Sequence, residues 1–175
     1  MAHVYSFPPV SNPGAPILIL GSMPGKASLS AGQYYAHPRN AFWPIMGELV
    51  GAVPSLPYES RIEKLKVAGI ALWDVLANCD RDGSLDADIV ANSISANDFK
   101  DFFLSHPRIF RVFFNGTVAE KCFYKYVLPM LGQKPLRFQR LPSTSPAHAS
   151  KTYQQKLEEW EAIIRMPKME AAWAG

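Results

Sequence analysis

The chain has 175 residues, with 18 Lys and Arg against 15 Asp and Glu, a formal net charge of +3. That length fits a single domain spanning 1–175 with an ordinary core, and the charge leans only weakly toward a polyanionic partner. Cys79 and Cys122 cannot build a four-thiolate cluster and neither lies in a CxxC, so two reduced, packed thiols are expected rather than a disulfide. No apolar run approaches the ~20 residues of a membrane span, and no basic-then-apolar leader opens the chain. A membrane role is therefore not expected, and the cytoplasm is the default compartment.

Residues 1–16 carry four prolines and no periodicity, an extended lead-in to the first strand. Ile17 to Leu20, four aliphatic residues, reads as a short strand buried on both faces, and it runs into the turn Gly21-Ser22-Met23-Pro24-Gly25. Within ten residues downstream stand Tyr34, Tyr35, His37, Arg39, Asn40, Phe42 and Trp43. Stacking rings, hydrogen-bonding amide and imidazole groups and a guanidinium suit a base with its sugar-phosphate. The alternative is that the rings are core and the polar groups cap the next helix.

Helices are expected over Ala41 to Val50 and Arg61 to Val67, then a second buried strand over Gly69 to Trp73 with Asp74 at its end. Ala77 to Asp88 is polar and turn-rich and reads as a surface loop. Asn97 opens a helix, with Asn97 and Asp98 as capping candidates. Ile109 to Phe114 is a third strand ending at Asn115-Gly116, and Thr117 to Leu131 is a helix. Leu136 to Leu141 alternates as an edge strand should. Ser143 to Ser150 is a loop, and Lys151 to Arg165 a last helix stopped by Pro167, with 166–175 a tail prone to fraying. The alternation predicts an α/β fold, a parallel sheet with helices on both faces, whose strand-end loops converge on one cleft.

GSMPG after a buried strand, YYAHPRNAFW, a strand ending FNG and a late STSPAHA together resemble the uracil-DNA glycosylase superfamily. The nearest branch is the hypoxanthine-DNA (deoxyinosine) glycosylase family, and the resemblance runs from about Ile17 to Arg165. It implies a three-layer α/β/α sandwich around a four-stranded parallel sheet. It also implies a monofunctional enzyme that cuts the N-glycosidic bond of a deaminated base, hypoxanthine favoured. The expected partner is double-stranded DNA carrying that base, met by a monomer without a cofactor. The chain departs from relatives that place an acidic or amide residue in the first motif, and it has Ser143 where the best-known branch has a late His. A uracil-preferring glycosylase and a non-catalytic DNA-binding relative are the alternatives.

By that resemblance Asn40 is the catalytic candidate, holding water through its carbonyl oxygen while its NH2 donates; its competing role is to cap the helix at Ala41. Asp74 could accept the N1–H of hypoxanthine, prepare the water, or cap a turn. His148 could support the leaving group. The backbone of Ser22, Met23, Pro24 and Gly25 could face the base or the sugar-phosphate. Tyr35 or Phe42 could stack on the flipped ring, with core packing as the other reading of Phe42. Asn115 is either a site residue or a sheet-end hydrogen-bonder. Arg39, Ser143 and Ser145 are candidates for DNA-backbone contacts, as are Lys26, Arg81, Arg140 and Lys151. His37, His106 and His148 are scattered among loops without metal-ligand spacing, so no metal is expected.

Overall fold

The computed structural model describes residues 2–166. Its strands are β1 (Ala2–Tyr5), β2 (Ile17–Gly21), β3 (Ile70–Asp74), β4 (Leu76–Arg81), β5 (Ser95–Ala96), β6 (Arg111–Asn115) and β7 (Arg137–Leu141). Four of them form a parallel sheet in the order β3-β2-β6-β7, and β1-β4-β5 form a small antiparallel sheet. The helices are α1 (Lys26–Ala31), α2 (Phe42–Val50), α3 (Tyr58–Val67), α4 (Phe99–Ser105), α5 (Thr117–Cys122), α6 (Leu128–Leu131) and α7 (Tyr153–Trp160).

Strand residues alternate faces, and each face has its own core. Leu18, Leu20, Ala71, Trp73, Val112 and Phe114 meet Phe99, Phe102 and Phe103 of α4 together with Phe123 and Val127. Ile19, Ile70, Leu72 and Phe113 face the opposite way, onto Phe42, Trp43 and Met46 of α2, Leu65 of α3, and Leu157 and Trp160 of α7. Both faces are covered, which is why the strands read as unbroken apolar runs. The result is the three-layer α/β/α sandwich.

Several local expectations are corrected. Residues 2–5 do not merely lead in; they pair with β4 in register, Ala2 opposite Arg81 and Tyr5 opposite Asn78. Ala77 to Asp88 is not all surface loop, because its first part is β4, which buries Leu76, Cys79 and Arg81. Asp98, not Asn97, caps α4, accepting from the Asp101 N–H; the Asn97 amide instead donates to the Asp74 and Leu76 carbonyls at 2.8 and 3.2 Å. The helix expected over Thr117 to Leu131 carries a π-helical stretch, Phe123–Val127, between α5 and α6. Helix α1 had no apolar period to announce it. Pro167 and all but the first residue of the expected tail lie outside the described residues.

Candidate active site

The parallel register sets Gly21 beside Asp74 and Asn115 beside Leu141, so the strand ends and the loops after them share one edge. They enclose a cleft of about 550 Å3. The turn Gly21 to Gly25 and the start of α1 form one wall, and Tyr35, His37 and Asn40 another. Asn115 to Val118 and Ser143 to His148 lie across from them, and Ser84 to Ala87 close the remaining side.

Asp74 is the most buried of the charged residues lining the cleft, 3 % exposed. Burial, and then the Asp86 charge, push its carboxyl up to about 7, with the Arg81 guanidinium opposing. Among the described residues its Oδ2 has no hydrogen-bond partner, and neither does the buried Tyr35 hydroxyl. A β-carbon on Gly21 would lie 2.5 Å from Asp74 Oδ1 and 2.8 Å from the Tyr35 oxygen, so only glycine lets both approach the turn. Tyr35 itself sits at φ 54°, a left-handed conformation that costs a tyrosine about 1–3 kcal/mol. Its ring stacks on Phe42 at 4.2 Å. Burial first, then the Asp74 charge, hold its hydroxyl far above the usual tyrosine range.

Asn40 lines the cleft and also holds the entry to the next helix. Its Oδ1 accepts from the Phe42 N–H at 2.9 Å, ordering the entry to α2, while its NH2 makes no hydrogen bond among the described residues. His37 Nδ1 accepts from the Arg39 N–H at 3.1 Å, which places the proton of the neutral ring on Nε2. The Asn115 amide is committed at both ends to Thr144: Nδ2 donates to Oγ1 at 3.0 Å, and Oδ1 accepts from the backbone N–H at 2.9 Å. Thr144 O in turn accepts from the Ala41 N–H at 2.9 Å, so three loops are stitched together. Gly116, at φ 91°, lets the chain turn under Ser143.

In the late loop, the Ser143 hydroxyl accepts from the Ser145 N–H and the Ser145 hydroxyl from the Ala147 N–H, both at 3.2 Å. Each O–H proton is left to donate outward. On the remaining side, the Ser22 hydroxyl donates to Asp86 Oδ1 at 2.5 Å. The protein crowding that carboxylate, more than any charge, raises its pKa, with Ser22 and Arg81 opposing. Asp86 as a residue stays open to solvent, unlike Asp74. Among the described residues, no group of three or more His, Cys, Asp or Glu side chains could hold a metal ion.

The sequence model of the uracil DNA glycosylase superfamily matches residues 8–166. The chain belongs to that superfamily. A protein from Methanosarcina barkeri named hypoxanthine DNA glycosylase is 39 % identical over 127 residues, covering 72 % of this chain and 78 % of the relative. One of the same name from Methanosarcina acetivorans is 35 % identical over 160 residues, covering 91 % and 96 %. A solution NMR structure of a Methanosarcina acetivorans protein, provisionally named a uracil DNA glycosylase, superposes with a TM-score of 0.76 at 34 % identity and covers 94 % of this chain and 98 % of that one.

In this glycosylase the cleft gathers Ser22, Met23, Pro24, Gly25, Tyr35, Asn40, Asp74, Asn115, Ser143, Ser145 and His148. It does not gather Phe42, which is fully buried behind Tyr35, nor Arg39, which stands outside the cleft on the far side of Asn40. Arg81 is corrected: it is 1 % exposed and donates to the Pro24 carbonyl, so it braces the turn from beneath instead of meeting DNA. Arg140 pairs with Glu120 at 3.4 Å. His37, Thr144 and Asp86 are cleft residues that sequence reasoning did not single out for roles. His37 stood inside the aromatic cluster and was legible there, whereas Asp86 lay in a polar stretch with no distinguishing pattern.

Proposed function

We propose that this glycosylase is a monofunctional enzyme acting as a monomer on duplex DNA, with hypoxanthine as its preferred base. The observation carrying the reading is Asp74, a buried carboxyl in the cleft whose Oδ2 has no hydrogen-bond partner among the described residues. Its ionised form accepts the N1–H of hypoxanthine; adenine has no such proton, so the contact rejects the undamaged base. The names of the two curated relatives point to the same lesion.

The target nucleotide is flipped from the stack at a cost of a few kcal/mol, less when it is mispaired. Its ring packs beside Tyr35, whose other face is held by Phe42; such stacking is worth ~1–3 kcal/mol. The Asn40 NH2 donates to the base or the sugar, and the second lone pair of its Oδ1 holds the attacking water. As the C1′–N9 bond breaks, its electrons leave with the base and the sugar becomes cationic. Water adds to C1′, and the proton it releases neutralises the base. Donors along the Ser22–Gly25 turn, and His148 opposite, stabilise the departing charge. The Ser143 and Ser145 hydroxyls hold phosphate.

The test is single-turnover cleavage of duplexes carrying hypoxanthine, uracil or xanthine, with abasic sites opened by alkali. Fastest cleavage of hypoxanthine supports the reading. Faster cleavage of uracil, which also presents an N–H beside a carbonyl, keeps the reaction and moves the specificity. Binding without cleavage of any duplex would make the chain a non-catalytic relative.

A further inference from the structure

Asn40 and Thr144 are a shared wall. On their far side lies a second concavity, about 250 Å3, bounded also by Arg39, Lys151, Tyr153 and Lys156. Lys156 is the unusual member. It is 6 % exposed, yet its Nζ has a single acceptor among the described residues, the Ser145 carbonyl at a long 3.4 Å. Two of its three protons are unanswered, and no carboxylate pairs with it there. The Arg39 guanidinium likewise makes no hydrogen bond or ion pair among the described residues. The nearby acids are engaged elsewhere: Glu159 with Lys151 at 2.5 Å, and Glu48 with the Tyr153 hydroxyl at 3.0 Å.

Burial without a counter-charge pushes the Lys156 ammonium toward its neutral form, and an anion in the concavity would restore its charge. The ligand expected is a phosphodiester, because a strand delivering a nucleotide into the cleft carries one negative charge about every 3.4 Å. The concavity shares Asn40 and Thr144 with the cleft, so it lies where a strand leaving the cleft over that wall would meet it. Lysine suits this task as a point charge that binds phosphate without demanding a planar partner.

We propose that this second concavity is a phosphate-binding subsite for the DNA strand flanking the flipped nucleotide, with Lys156 as its buried anchor and Arg39 at its mouth. The inference rests on the reading of the cleft as a base-flipping site. It adds a clamp on the sugar-phosphate that fixes strand register while the base is inserted.

The test neutralises the duplex one phosphate at a time with methylphosphonate and measures affinity for the wild-type protein and for Lys156→Met, Arg39→Gln and, as a control on α3, Lys64→Gln. One position near the lesion should weaken wild-type binding about tenfold, and the same replacement should cost Lys156→Met nothing further. The Lys156→Met salt slope, log K against log salt, should fall by about one. Equal sensitivity to every replacement in wild type and Lys156→Met would overturn the subsite. If Lys156→Met melts early, Arg39→Gln must show the loss of coupling at that same position, and its failure to do so counts equally against the proposal. Coupling without base excision would remove the excision reading alone. Excision without coupling would remove the subsite alone, and absence of duplex binding would remove both.

Discussion

Asp74 carries a pH signature of its own. Its carboxyl stays neutral in the folded protein up to about 7 but ionises near 4, roughly, once the chain unfolds. Between those values the native state binds more protons. The group's stabilisation is therefore full below about 4 and is lost as the pH rises through about 7. The ionised form is the one that accepts from the base, so the single-turnover rate on hypoxanthine should climb across the same range. In Asp74→Asn the climb should vanish and the base preference shift, because an amide can donate as well as accept. A pH–rate series on both proteins checks this, and an unchanged profile would make Asp74 a turn residue. Asn40→Ala removes both a cleft donor and a helix-entry acceptor. Excision should be abolished, while urea melts should show a loss of about 1 kcal/mol, the ordinary value of one hydrogen bond. Unchanged single-turnover rates would remove Asn40 from the chemistry.

At the scale of elements, β4 and the first turn act together. Arg81 reaches from β4 to the Pro24 carbonyl and opposes the raised pKa values of Asp74 and Asp86. Arg81→Met should move the inflection of the pH–rate profile upward and lower stability by about 2 kcal/mol, measurable by denaturant titration. Gly21→Ala should sharply reduce excision by forcing Asp74 and Tyr35 apart, at an overpacking cost of about 1–3 kcal/mol. The parallel sheet was legible because its strands, covered on both faces, are unbroken apolar runs between turn residues. β4 was not, since LANCDR mixes buried and half-exposed positions around an irregular register and ends in a charge that folds inward. Asn40, Tyr35 and Asp74 stood out as polar or aromatic groups at strand and helix ends. Phe42 was ambiguous because a ring beside a site and a ring behind one have the same local sequence. Lys156 reads as an ordinary exposed position of α7, and only the loop folding over it makes it buried.

For the whole molecule, the net charge of +3 understates the positive field on the face that meets DNA. Lys26 on the cleft rim and Arg39, Lys151 and Lys156 behind it lie along one side. With Lys151 held by Glu159, phosphate contacts from Lys26, Arg39 and Lys156 imply a slope of log K against log salt of about −3, checked by titrating a labelled duplex at several salt concentrations. A flat dependence would argue against DNA as the ligand. The stitching of three loops through Thr144 has a further consequence for how this surface breathes. The Ala41 N–H is held by the Thr144 carbonyl and the Thr144 N–H by Asn115 Oδ1, so an opening that lifts Thr144 out of place exposes both amides at once. Their deuterium uptake should share one opening rate in the free protein and slow together when duplex is bound, making two backbone positions a clock for the cleft's local unfolding.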